Sequence, residues 1–360
     1  MKTPHHTARW YSRSAPKQPP IRFATIALFA CAGSAIGAAP ESPVPQGARP
    51  ERVFDGGCVV VEGVTSAPDG TIFFSDVTVT SLCHDERGIF SAAGNIWRLD
   101  PATRRATIFR SPSGMSNGLK FDATGNLLAA EGADHGGRRI TRTDMRTGRS
   151  YILTALFEGR PYNSPNDLTI DQQGRIYFTD PRYAGYEPLE QLIEAVYRID
   201  LDGRVTRLQT SARKPNGIAV SPDQKTFYVI DADSGSYMLT DRETETRSRL
   251  FAYNLLNDGT ITHERLLIDW SSQSAGDGMC VDLEGNLYIA VHETGRQGVR
   301  IYSPAGMEIG YISTGESAAQ NVAFGRGRDS HLLYIAAGRN VFRIEVNNAG
   351  YQLPTAVVGR

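Results

Sequence analysis

Asp277-Gly-Met-Cys-Val-Asp-Leu-Glu-Gly285, followed at once by Asn286-Leu-Tyr-Ile289, is a phrase that the chain repeats with variation. The other copies are Glu62-Gly-Val-Thr-Ser-Ala-Pro-Asp-Gly70, Asn117-Gly-Leu-Lys-Phe-Asp-Ala-Thr-Gly125 and Asn166-Asp-Leu-Thr-Ile-Asp-Gln-Gln-Gly174. Asn216-Gly-Ile-Ala-Val-Ser-Pro-Asp-Gln224 and Asn321-Val-Ala-Phe-Gly-Arg-Gly-Arg-Asp329 complete a set of six. Each opens on a carboxylate or amide residue and reaches a glycine or another polar turn residue eight positions later. A short apolar run follows every time, such as Arg175-Ile-Tyr-Phe178. Further strand-like runs come next, including Asn95-Ile-Trp-Arg-Leu99 and Ala106-Thr-Ile-Phe109. The unit is about four strands and roughly fifty residues long, the spacing of propeller blades. One four-stranded sheet cannot bury both of its faces, whereas a closed ring of sheets can. The reading is all-β: a six-bladed β-propeller over residues 51–360, its last blade completed by residues 51–55 or by 351–358.

Outward from the repeat, the rest of the chain is compatible. It has 360 residues, 36 of them Gly, and a formal net charge of −1. Such a balance gives no reason to expect a nucleic-acid or anionic-membrane partner. At the N-terminus Arg9, Arg13, Lys17 and Arg22 precede an apolar run over 23–32 and small residues up to Ala39. That is the order of a signal peptide, and the run is too short to span a bilayer. We therefore expect a signal peptide over 1–39, a linker over 40–50, and export to the periplasm or medium. Leu28-Phe29-Ala30-Cys31 also resembles a lipoprotein signal, with Phe29 a poor fit. Cleavage leaves Cys58, Cys83 and Cys280, for which a Cys58–Cys83 bridge and three free thiols both stand open.

Equivalent positions in six blades lie at equivalent points around the axis. Glu62, Asn117, Asn166, Asn216, Asp277 and Asn321 should thus ring one mouth of the central channel, with Asn321 in a structural role. The loops after the second strands return to that mouth, and those at 78–94, 182–194 and 232–247 are long enough to wall a pocket. Asn-Gly and Asp-Gly are ordinary turn pairs, but Glu62 is a poor turn former and Asn166 precedes Asp167 rather than Gly. Converging carboxylates and amides are costly if dry and unpaired. A hard cation relieves that cost, and an oxygen-only ring suits Ca²⁺, Mg²⁺ or Mn²⁺, with Zn²⁺ also accepting carboxylates. No His clusters with the ring, and the chain has no G-x-S-x-G nucleophile elbow.

These phrases resemble the gluconolactonase-like family that includes regucalcin. Ser164-Pro-Asn-Asp-Leu168, Phe178-Thr-Asp-Pro181, Lys214-Pro-Asn-Gly-Ile218 and Gly276-Asp-Gly-Met279 carry the likeness, which extends from about Arg52 onward. Ser116-Asn-Gly-Leu119 with Glu131 and Arg138-Arg139 resembles its bacterial gluconolactonase branch. The resemblance implies one divalent cation, with Ca²⁺ first in order, held by Glu62, Asn216 and Asp277, and a substrate oriented by Asn166. It further implies hydrolysis of a lactone, a sugar lactone first. For that reaction we expect Asp277, a ligand with a second oxygen free, to act as general base, and Asn117 and Asp180 to contact substrate or metal-bound water. Where bacterial members read Glu-His-Gly, this chain reads Glu131-Gly-Ala-Asp-His135-Gly136, which moves His135 and leaves its role open, as is that of His292. A non-catalytic propeller with a structural cation, and an esterase or phosphoesterase sharing the metal, are the other readings. A closed propeller leaves few free sheet edges, so a monomer is expected.

Overall fold

The computed structural model describes residues 42–84, 88, 92–233, 247–271 and 275–355. The signal-peptide segment and part of the 78–94 and 232–247 loops lie outside those residues. The rest is a six-bladed β-propeller. Five blades are consecutive four-stranded antiparallel sheets, with innermost strands Val60–Ser66, Ser116–Phe121, Leu168–Ile170, Pro215–Val220 and Ala275–Val281. The sixth has Ala319–Phe324 innermost, and its outermost strand is Glu51–Phe54 from the start of the domain. Glu51 stands opposite Arg343 there, and Arg343 Nε donates to its carboxylate at 3.0 Å. The N-terminal segment therefore closes the ring. Tyr351, Gln352 and Leu353 instead cap the far end of the channel, where Gln352 Nε2 donates to Phe324 O at 2.8 Å. Residues 42–50, expected as a linker, lie against the propeller: Val44 and Ala48 pack on the cluster shared by the fifth and sixth blades.

The core is distributed rather than central. Six apolar clusters each fill the gap between two adjacent blades, for example Leu250 and Ile230 of the fourth with Leu287 and Ile289 of the fifth. The repeated phrase explains how each blade turns. Asp122, Asp171 and Asp282 accept backbone N–H groups two and four residues on, and in the fourth blade Ser221 Oγ accepts those four and five residues on. These bonds fold the hairpin tip as an Asx-type turn. The residue closing it needs positive φ: Gly70, Gly125, Gly174 and Gly285 have φ of 81–88°, and Gln224 adopts φ 62°.

At the other end of the innermost strands the register shifts around the ring residues, between Glu62 and Thr65, Ser116 and Leu119, Pro215 and Ile218, and Gly276 and Met279. Bulges of this kind re-aim a side chain. The glycine after the ring residue is where the next blade comes closest. A Cβ on Gly63 would stand 1.8 Å from Asn117 O, and one on Gly217 would stand 2.1 Å from Asp277 O. Gly217→Ala is therefore expected to lower unfolding stability by about 1–3 kcal/mol, as overpacking does. A fall in the urea midpoint at unchanged slope checks it.

Candidate functional site

The bulged ends of four innermost strands place Glu62, Asn117, Asn216 and Asp277, and the segment before Leu168–Ile170 places Asn166, on the floor of one cavity of about 310 Å³. The sixth position differs. Gln320 rather than Asn321 reaches the cavity, while Asn321 Oδ1 accepts the Val322 N–H at 2.9 Å and packs against Gly278. The segments following the second strands supply the walls, with Val79 and Leu82 from the first blade, Ala133 from the second and Tyr183 from the third.

The floor is electrostatically frustrated. Burial, then the charges of Asp277 and Asp167, hold the Glu62 carboxyl well above the usual carboxylate range. Asp167, just behind the ring, is pushed up to about 6, chiefly by burial. Asn216 Oδ1 is buried without any hydrogen-bond donor. An unpaired acceptor of this kind costs about 1–3 kcal/mol, and a cation beside it would remove that penalty. Among the described residues no three His, Cys, Asp or Glu side chains are arranged so that they alone could hold a metal ion. The donor set is two carboxylates supplemented by amide oxygens, the hard-oxygen chemistry that fits a divalent cation.

Two residues absent from the predicted site line the same cavity. His292 Nε2 lies 3.2 Å from Asp277 Oδ2. Burial pulls its pKa down, but contact with the Asp277 carboxylate outweighs this and leaves it above the ordinary histidine value. Tyr183 donates from its hydroxyl to Ala232 O at 3.0 Å, and the Lys214 ammonium sits 4.6 Å from its ring centre. Nothing in the repeat marks Tyr183, because it follows the second strand, outside the phrase that the blades share.

Asp180 is not part of the cavity lining. Its oxygens accept the N–H groups of Asn163 at 2.8 Å and Ser164 at 2.6 Å, and burial raises its pKa to about 7. It therefore shapes the turn leading to Asn166. His135 is exposed, and its backbone N–H donates to Glu187 Oε1 at 2.7 Å. Glu131 is buried between Arg110 and Arg139, each 2.7 Å away, and Arg138 Nε holds Tyr162 O at 2.6 Å. This motif braces the scaffold. The walls are braced too: Asp134 accepts Thr80 N–H at 2.6 Å and Thr80 Oγ1–H at 2.8 Å. A disulfide joins Cys58 to Cys83, while Cys280 is free.

Residues 89–339 match the SMP-30/Gluconolactonase/LRE-like region. The chain belongs to this family. The gluconolactonase of Zymomonas mobilis is 30% identical over 256 residues, 67% of this chain and 65% of that protein. Lactonohydrolase oryL of Aspergillus oryzae is 27% identical over 262 residues, 66% of this chain. The match covers 58% of the Aspergillus protein, so in both curated relatives the chain spans less than two thirds of their length. A solved gluconolactonase from Xanthomonas campestris superposes with TM-score 0.67 at 26% identity, over 83% of this chain and 89% of that one. The family relationship agrees with the six-bladed architecture and with the blade order above.

Proposed function

We propose that this member of the SMP-30/gluconolactonase family is an exported, divalent-cation-dependent hydrolase of lactones. The observation that carries the reading is the cavity floor, where two carboxylates and a donorless amide oxygen share one apolar-walled pocket. Glu62, Asn216 and Asp277 would hold the cation. When bound, such an ion supplies Lewis acidity toward an ester carbonyl and lowers the pKa of water. Asp277 accepts the proton of the attacking water, a role for which its cavity-facing carboxylate is suited. As the tetrahedral centre collapses, the ring C–O bond breaks and the alkoxide oxygen takes up a proton, giving the hydroxy acid. Asn166 and Asn117 can donate to oxygens of the substrate. His292 keeps the Asp277 carboxylate directed at the cavity from 3.2 Å. The relatives named gluconolactonase and lactonohydrolase support this reaction class.

Export is supported by the basic-then-apolar N-terminus and by the Cys58–Cys83 bridge, which suits an oxidising compartment. No helix among the described residues is long and apolar enough to cross a membrane. The test is a pH-indicator assay of purified mature protein on a lactone panel. Turnover should vanish with chelator and return with one of Ca²⁺, Zn²⁺, Mg²⁺ or Mn²⁺. Inactivity on every lactone with each ion would remove the hydrolase reading and leave the binding propeller.

A further inference from the structure

Above its polar floor the cavity is lined by hydrocarbon. From the first blade Val59, Val60, Val77, Val79 and Leu82 face it, and Leu82 is 60% exposed at the rim. Pro165, Ala184 and Ala232 contribute from the third and fourth blades, and Ala133 from the second. Ala133 belongs to the Gly132-Ala133-Asp134 stretch that separates Glu131 from His135; Gly132 and Ala133 line the cavity, and His135 does not. No Lys or Arg side chain is among the described lining residues.

The polar groups that do reach the walls each already hold a bond to the protein. Ser164 Oγ accepts the Ala133 N–H at 2.9 Å, and Gln320 Oε1 accepts the Gly338 N–H at 2.8 Å. The Tyr183 hydroxyl is given to Ala232 O. Polar capacity is thus concentrated on the floor, where the reacting ester and its cation belong. A substrate carrying hydroxyls around its ring would bury several of them against valine and alanine, and hydroxyls without partners weaken binding steeply. A substrate carrying alkyl or aryl substituents would instead exchange apolar surface from water for contact with these walls.

Resting on the lactone-hydrolase reading, we infer that the preferred substrate is an apolar lactone bearing an alkyl or aryl substituent, not a polyhydroxylated sugar lactone. The ester sits on the Glu62/Asn216/Asp277 floor and the substituent runs up the Val60–Val77–Leu82 side. Substrate choice is then set by the blade-one wall, whose outer loop is tied down by the Cys58–Cys83 bridge and by the Asp134 hold on Thr80.

The experiment compares lactones of one ring size: δ-valerolactone, δ-hexalactone, δ-octalactone, δ-nonalactone and glucono-1,5-lactone, each corrected for spontaneous opening. Expected is a kcat/KM that climbs by up to about 4-fold per added methylene until the cavity is filled. δ-Nonalactone should exceed glucono-1,5-lactone by at least about tenfold. Val60→Thr, close in shape but carrying a hydroxyl, should flatten the chain-length slope. Binding supplies a readout without turnover: 6-butyl-2-piperidone, an apolar lactam, should raise Tm more than gluconolactam does. A sugar lactone used as well as or better than the alkyl series overturns the inference while the hydrolase stands. Failure to open any lactone with any cation overturns both.

Discussion

Asp277→Asn should lower kcat for lactone opening by about 10²–10⁴-fold, the range that a positioned general base contributes. The substitution keeps the volume and one oxygen at the cavity floor but removes the group that takes the water's proton. Asp277 stands on a bulged innermost strand with Gly217 of the preceding blade pressed against its carbonyl, so its backbone has little freedom to compensate. His292 Nε2 stands 3.2 Å from the carboxylate. Steady-state kinetics at saturating cation distinguish the cases. A fall in kcat with a small change in KM is the expected result. Wild-type kcat in Asp277→Asn, with turnover still abolished by chelator, would assign the base elsewhere and leave the cation in place.

Glu62→Gln should have two opposite effects on stability, and their combination is diagnostic. In cation-free protein the Glu62 carboxyl lies above its ordinary value of 4.5 because of burial and the Asp277 and Asp167 charges. A carboxyl raised on folding contributes fully below its unfolded pKa, and that contribution is lost as pH climbs through the folded value. Cation-free wild type should therefore lose stability as pH rises above about 4.5, and Glu62→Gln should remove much of that slope. At pH 8 the cation-free variant should be more stable than the cation-free wild type. Added cation should reverse the order. At a hundredfold excess over Kd it stabilises wild type by about 2.7 kcal/mol, whereas the variant lacks one of two ring carboxylates and should respond little. Thermal melts with and without chelator at pH 5 and pH 8 measure both effects. An equal cation-induced rise in Tm for variant and wild type would exclude Glu62 as a ligand.

The sequence by itself determined the blades, because their information is local. An acceptor side chain two and four residues before its donors, and a glycine at positive φ, fold a hairpin tip wherever the segment sits. Repetition of that tip at blade spacing then implies a ring, and register carries Glu62, Asn117, Asn166, Asn216 and Asp277 to one cavity. Asn321 shows the limit of register: a one-residue difference in the sixth blade turns Gln320 into the pocket and Asn321 into the inter-blade contact. Asp180 shows another, since a conspicuous acidic residue next to the site is consumed by two backbone donors that only the folded loop brings within reach. The strand that closes the sixth blade, the wall of valines and alanines, and the meeting of His292 with Asp277 were decided by tertiary structure alone. Those features depend on which distant segments pack together around the ring, and no repeat or periodicity within a segment encodes that choice.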